Sequence, residues 1–331
     1  MDEVRQSGQQ LWNDQFFSGE RVAQSTYFAK RLPRGVAGHG GSDYRLLPQH
    51  KALNLAQAIR ADAIAYFDAK GIAWHTHANH ALSSQVCCLN FLMPLATQPA
   101  LLARIIGEAL KILTPTMLEV ENGPDGRPWF VGFEWIGRAD YLNEAGKKGT
   151  RARGAHATSA DAVVRFESDG RIETVLIEWK YTERYRAPIS PERNEVRIGR
   201  YEGLVFAPSG PVRADLGLTM SDFFWEPFYQ LLRQQMLAFQ MRAAQEDGTE
   251  RVRVLHISPS SNHALHAVTA PALQSRGDDA FEVFRNLLIC PDDFVSRSTT
   301  EVFGNALAEA EGEALPWANY LLDRYGFLST S

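Results

Sequence analysis

The chain has 331 residues, 45% hydrophobic and 22% charged, with a formal net charge of −5. That balance excludes disordered, collagenous and coiled-coil classes. It also argues against a passive nucleic-acid coat while leaving room for a local basic cleft. Cys87 and Cys88 are adjacent and Cys290 stands apart, so neither a disulfide framework nor a cysteine zinc site is indicated, and a reducing cytoplasm is expected. The start MDEVRQSGQQLWNDQ is acidic where a signal peptide is basic, and no run reaches the ~18 apolar residues of a membrane helix.

Residues 1–32 read as a polar amphipathic helix or two, followed by a glycine-rich bend, Gly35 to Gly41. The bend lacks the GK[ST] ending of a P-loop and follows no apolar strand, so it reads as a plain connection. Lys51 to Lys70 has helical spacing and Gly71 just beyond it, which predicts a helix. In Trp74 to His80, the histidines His75, His77 and His80 have no carboxylate or cysteine among them and no helical register that unites them. They are expected as loop and cap residues rather than metal ligands, with Ser83 capping an apolar segment that runs to Leu95. Pro99 to Leu113 carries a wide apolar helical face, and Trp129 to Gly137 reads as a buried strand with Glu134 in its middle.

A polar segment with Lys147, Lys148, Arg151 and Arg153 then leads into two strands, Thr158 to Phe166 and Thr174 to Thr182, joined by an Asp169-Gly170 turn. Asp161 lies inside the first strand. Glu178 and Lys180 lie two apart in the second, so strand alternation puts them on one face. The arm from Arg184 to Arg200 contains Pro188 and Pro191 and is expected as a loop. A helix from about Phe223 to Ala244 follows, capped by Ser221-Asp222, then a strand from Arg251 to Ser258. The tail reads as a helix near Phe281 to Leu288, a polar segment after Pro291, and a closing helix from Pro316 to Tyr325. This suggests a helical N-terminal extension (1–80), a core (81–290) and a C-terminal helical extension (291–331).

The order αβββαβ, with Ser159-Ala160-Asp161 on the second strand and Glu178-Trp179-Lys180 on the third, resembles the PD-(D/E)xK nuclease superfamily. The fuller pattern, TSADA then LIEWKYTE with SSQ and LNFLMPL upstream, is similar to a bacterial family of restriction-endonuclease type within it. Ala160 stands where the superfamily's name has proline. The resemblance implies an α/β (α+β) fold with a mixed central sheet flanked by helices, and metal-dependent phosphodiester hydrolysis. Mg²⁺ or Mn²⁺ would be held by Asp161, Glu178 and the backbone carbonyl of Trp179, because hard cations take oxygen ligands. Lys180 would orient water, act on its proton if its pKa is depressed, or stabilise transition-state charge. Gln230, on the following helix, is carried over from related nucleases as a further catalytic residue. Its helical neighbour Gln234 shares that face.

Glu134 and Glu108 are candidates for a further carboxylate, against a core-edge or surface role. Lys147, Lys148, Arg151, Arg153, Arg184 and Arg186 lie on loops beside the strands, where phosphate contacts would be needed, with Tyr181, Tyr185 and Tyr201 as stacking groups. The opposing reading is ordinary surface charge, partly neutralised by Glu183, Glu192 and Glu195. The expected partner is nucleic acid, above all double-stranded DNA, with a homodimer if both strands are cut. The alternative is a catalytically silent nuclease fold that binds nucleic acid or protein. Burying Asp161, Glu178 and Lys180 for stability alone would be unfavourable, which favours the enzyme.

Overall fold

The computed structural model describes residues 2–146, 149–155 and 157–328. Helix α1 (Asp2–Arg31) precedes the glycine bend, and α2 (Arg60–Lys70) ends where Gly71 adopts φ 61° and closes the last turn. The predicted helix from Lys51 begins only at Arg60. Residues Pro48–Asn54 and Gln57–Ile59 form short 3₁₀ turns instead. The cause is Asn54, whose buried amide donates to the carbonyls of Ala78 (2.9 Å) and His80 (2.8 Å) and ties this stretch to the histidine loop. Helix α3 (Ser84–Leu92) is buried from Gln85 onward and capped by Ser83, whose Oγ accepts the Val86 N–H; α4 (Pro99–Leu110) follows.

The described residues form the strands β1 (Thr116–Leu118), β2 (Glu121–Asn122), β3 (Pro128–Trp129), β4 (Val131–Trp135), β5 (Ala160–Ser168), β6 (Arg171–Trp179), β7 (Arg251–Ser258) and β8 (Phe294–Ser298). Strands β2 and β3 form a small ladder of their own. The others build a six-stranded mixed sheet in the order β1-β5-β6-β7-β8, with β4 also pairing β5. Strands β5 and β6 are antiparallel around Asp169-Gly170, both at positive φ (52° and 73°), as a two-residue hairpin turn requires. Strands β6, β7 and β8 run parallel.

Helices α5 (Asn194–Val205) and α6 (Phe228–Ala243) lie between β6 and β7, α7 (Ala280–Leu287) lies between β7 and β8, and α8 (Thr299–Ala308) and α9 (Leu315–Arg324) close the chain. Four elements, α5, α6, β8 and α8, differ from the sequence reading. Helix α5 occupies part of the arm expected as a loop, because Pro188 and Pro191 precede it and Pro191 sits in the first turn of the 3₁₀ segment that leads in, where proline is tolerated. Strand β8 and helix α8 occupy the segment expected to be polar. Only Phe294 of β8 is fully buried, so this last strand in the sheet order shows no apolar alternation. Helix α6 starts at Phe228 rather than Phe223, because Thr219 and Asp222 cap a separate turn, Met220–Phe223, and Pro227 intervenes.

One sheet face, with Val164, Val175, Ile177 and Leu255, packs against α3, α4, α8 and α9. The Trp179 ring belongs to this core, 4.9 Å from Phe91 and 5.8 Å from Phe303. The other face, with Val163, Leu176 and Val254, packs against α5, α6 and α7. Among the described residues, no helix is long and apolar enough to cross a membrane.

The chain ends are joined through Arg324, only 2% exposed. Its guanidinium donates to the carbonyl and side-chain oxygens of Asn54, to Tyr320 Oη (2.6 Å) and to Gln24 Oε1 (3.3 Å). It lies 5.2 Å from the Tyr325 ring and 5.4 Å from the Tyr27 ring. Arg324→Ala leaves these acceptors buried without a donor and should cost about 3 kcal/mol, measured as a lower urea midpoint at unchanged slope.

Candidate active site

The register of the central strands places acidic residues side by side. Phe133 pairs with Ala162 and Trp135 with Ala160, so Glu134 falls opposite Asp161. Ala162 pairs with Ile177, so the next position along sets Asp161 across from Glu178. Glu178 in turn pairs with His256, and His256 with Ser296. One row across the sheet therefore reads Glu134, Asp161, Glu178, His256, Ser296. Lys180 follows immediately where β6 ends, held in place by its N–H on the Ile257 carbonyl (2.9 Å).

Each acid has different partners. Glu178, 1% exposed, accepts from Lys180 Nζ at one oxygen and from Gln234 Nε2 (2.8 Å) at the other. The same Gln234 nitrogen donates to the Ser159 carbonyl (2.6 Å), so α6 is pinned to both β5 and β6. Asp161 is half-buried and accepts the Trp179 backbone N–H (2.7 Å). Glu134, 3% exposed, accepts from Gln85 Nε2 (2.7 Å) and Ser159 Oγ (2.8 Å), with His75 Nε2 at 3.4 Å. Its φ of 51° is rare for a residue with a side chain and carries about 1–3 kcal/mol of backbone strain.

Burial, then the charge of Glu178, pushes the Asp161 carboxyl well above the usual carboxylate range. Burial also raises Glu178, with Lys180 pulling the other way. For Lys180, burial favours the neutral amine, but Glu178, Tyr185 and Asp161 outweigh it and hold the ammonium well above its ordinary pKa. Lys180 is therefore a cation and a donor, not a base with a depressed pKa. Burial pushes Glu134 up too, but its bonds from His75, Gln85 and Ser159 prevail, and it lies below the usual range. His256 is kept neutral by burial and then by Lys180; its Nδ1 meets Ser296 Oγ (3.0 Å) and its Nε2 has no hydrogen-bond partner among the described residues.

A family model described as "Restriction Endonuclease associating with ARP" matches residues 21–326. The chain belongs to this family. No curated protein and no solved structure matches it.

In this restriction-endonuclease family member, Asp161, Glu178 and Lys180 come together as the sequence suggested. The glutamine that reaches them is Gln234. Gln230, one turn earlier, bonds through its backbone N–H to Glu226 (3.0 Å). Trp179 contributes its N–H to Asp161 and its ring to the core. Glu108 lies away from the row, accepting from Asn305 (3.3 Å).

Two of the basic residues expected to contact phosphate are used internally. Arg151 donates to the carbonyls of Ile136 (2.6 Å) and Gly137 (3.2 Å). Arg153 is clamped on Glu121 (2.9 and 3.1 Å) and Tyr66 Oη (2.8 Å). Arg184 and Arg186 are exposed, Arg184 lying 4.3 Å from the Phe17 ring. Lys147 and Lys148 fall outside the described residues. Tyr181 and Tyr201 are buried, Tyr181 donating to Glu20 and Tyr201 to Glu144, so neither offers a face to a base.

The sequence reading missed His75 and His256. Spacing could not place His75, because its link to Glu134 spans α3, α4 and strands β1, β2 and β3. The WHTHANH stretch was the available signal, with Gln85 of SSQ as the bridge: its Oε1 accepts the His75 N–H (2.9 Å) and its amide donates to Glu134.

The His75–Glu134 contact gives a pH dependence. The bond to Glu134, offset in part by burial, raises the His75 pKa. A raised histidine stabilises the fold below its unfolded pKa and loses that contribution as pH rises through the folded value. The Tm gap between wild type and His75→Ala should therefore be larger near pH 6 than near pH 9, measured by thermal melts across that range.

Proposed function

We propose that this protein is a metal-dependent nuclease of the PD-(D/E)xK type, hydrolysing phosphodiesters in double-stranded DNA. Asp161 and Glu178 would hold the cation, Mg²⁺ or Mn²⁺, and Lys180 would face the scissile phosphate. The observation that carries the reading is the meeting of Asp161 and Glu178 on neighbouring strands beside an ammonium kept protonated by them.

The donor set suits a hard divalent ion. Asp161 and Glu178 are neighbouring oxygen donors; burial raises both carboxyls, and the Glu178 charge raises Asp161 further. Gln234 Oε1 is buried with no hydrogen-bond partner among the described residues and would accept from a water. Among the described residues, no group of three or more His, Cys, Asp or Glu side chains forms a cage. An ion would therefore rest on these carboxylates with water and substrate oxygens, as Mg²⁺ does. When bound, the cation supplies Lewis acidity at the phosphoryl oxygens. Lys180 adds a fixed positive charge in a water-poor setting, where it acts more strongly on developing negative charge. The strained Glu134, braced by His75, Gln85 and Ser159, keeps β4 and β5 locked beside Asp161. Cutting both strands would take two such sites, so a homodimer belongs to this proposal, as does the association with ARP that the family description names.

Incubation with supercoiled and linear DNA should show cleavage with Mg²⁺ or Mn²⁺ and none with EDTA. Asp161→Ala and Lys180→Ala should each reduce the rate by about 100-fold or more. Cleavage that survives either change would sink the site assignment, and DNA binding with no cleavage in any metal would point to a silent fold.

A second expectation needs no turnover. Asp161 has a folded pKa raised above its unfolded value, so its ionised form weakens the metal-free fold at neutral pH. Asp161→Asn keeps an acceptor for the Trp179 N–H and removes that charge. It should raise the metal-free Tm by about 2 °C or more and abolish the rise that Mn²⁺ gives wild type, both read by calorimetry.

A further inference from the structure

Beside Lys180 lies an open cleft of about 380 Å³. Arg45, His80 and Ser83 line one wall, and Lys180, Thr182 and Glu183 line the other. We infer that this cleft is a backbone-phosphate subsite, seating the phosphodiester next to the one that is cut, with Arg45 and His80 as its donors. The inference rests on the nuclease reading, because it takes the scissile phosphate to lie at Asp161 and Glu178.

Arg45 forms no ion pair among the described residues, and its Nε is shielded from water with no hydrogen-bond partner. Its guanidinium lies 5.9 Å from the Tyr44 ring, and that of Arg21 lies 4.8 Å from the same ring, so two cations gather at this end of the cleft. A half-buried guanidinium without a carboxylate suits an anion with two oxygens to offer.

His80 is a neutral donor beside it. Its Nδ1 accepts the Leu82 N–H (3.1 Å), which leaves the ring proton on Nε2. Burial first, then the charges of Arg45, His77 and Arg21, hold its pKa down to about 4, so the imidazole stays uncharged at neutral pH. Helix α3 starts at this wall with no acidic residue in its first turn, adding the positive end of its dipole. Glu183 is the one acid on the lining, and its Oε2 is engaged by the Tyr181 N–H (2.6 Å). Lys180 belongs to the cleft wall and to the Glu178 pair at once, so a strand bound here would run directly into the acidic row.

The test is duplex binding by fluorescence anisotropy over a range of salt, with Ca²⁺ in place of Mg²⁺, for wild type, Arg45→Ala, Arg45→Gln, Arg45→Lys and the exposed control Arg127→Ala. Arg45→Ala and Arg45→Gln should bind about tenfold more weakly and reduce the slope of log affinity against log salt by about one. Arg45→Lys should keep the slope with weaker binding, and Arg127→Ala should match wild type. Arg45 variants that are folded by thermal melt and bind like wild type overturn the subsite, whatever the Mg²⁺ cleavage assay shows. Arg45-dependent binding by a wild type that cuts nothing in any metal upholds the cleft as a backbone-phosphate site and removes the hydrolytic reading, and with it the placement beside a cut phosphodiester. Absence of nucleic-acid binding by wild type overturns both. Inorganic phosphate that raises the Tm of wild type but not of Arg45→Ala, without Arg45-dependent duplex binding, would assign the cleft to free phosphate and overturn the inference.

Discussion

The like charges of Glu134, Asp161 and Glu178 share one row of a sheet, and much of the molecule answers that constraint. Taking carboxylates out of water costs several kcal/mol each unless cations and donors meet them. Glu178 is met by the Lys180 ammonium and the Gln234 amide, and Glu134 by His75, Gln85 and Ser159. Asp161, between them, has only the Trp179 N–H as a hydrogen-bond donor among the described residues. The compensation is thus uneven, and the shortfall lies at the one acid of the row that keeps part of its surface in solvent.

The surrounding elements follow from the same demand. Helix α6 buries Gln234 against Glu178 while its apolar side fills one half of the core. Helix α3 is almost wholly buried, yet it carries Gln85 to Glu134 and begins at the cleft wall. These helices hold polar donors against the sheet with apolar packing, which fixes donor positions more tightly than a loop would.

Positive charge near the site divides into two kinds. Arg151 and Arg153 sit in the basic segment before β5, but their guanidinium groups bond carbonyls, Glu121 and Tyr66, and so lock that segment onto β4. Arg45 comes from a distant part of the sequence and has no acidic partner among the described residues. A cluster of arginines in sequence therefore said little about where cationic surface remains, because an arginine near buried carbonyls and carboxylates is consumed by them.

What the sequence determined by itself was local in origin. Alternation on a strand put Glu178 and Lys180 together, the Asp169-Gly170 turn set the β5–β6 register, and so Asp161 and Glu178 were bound to face each other. The run Arg251 to Ser258 announced β7 through its β-branched Val252, Val254 and Ile257. Tertiary structure alone decided the rest. Gln230 and Gln234 were equivalent by helical spacing, and only the docking of α6 on β5 and β6 chose Gln234. Strand β8 was hidden because only one of its residues is fully buried, and β-propensity without burial leaves no periodic trace. His75, His256 and Arg45 reach the site or its cleft through parallel pairing and loop packing. Those contacts join residues far apart in the chain, and no spacing rule links such residues until the fold brings them together.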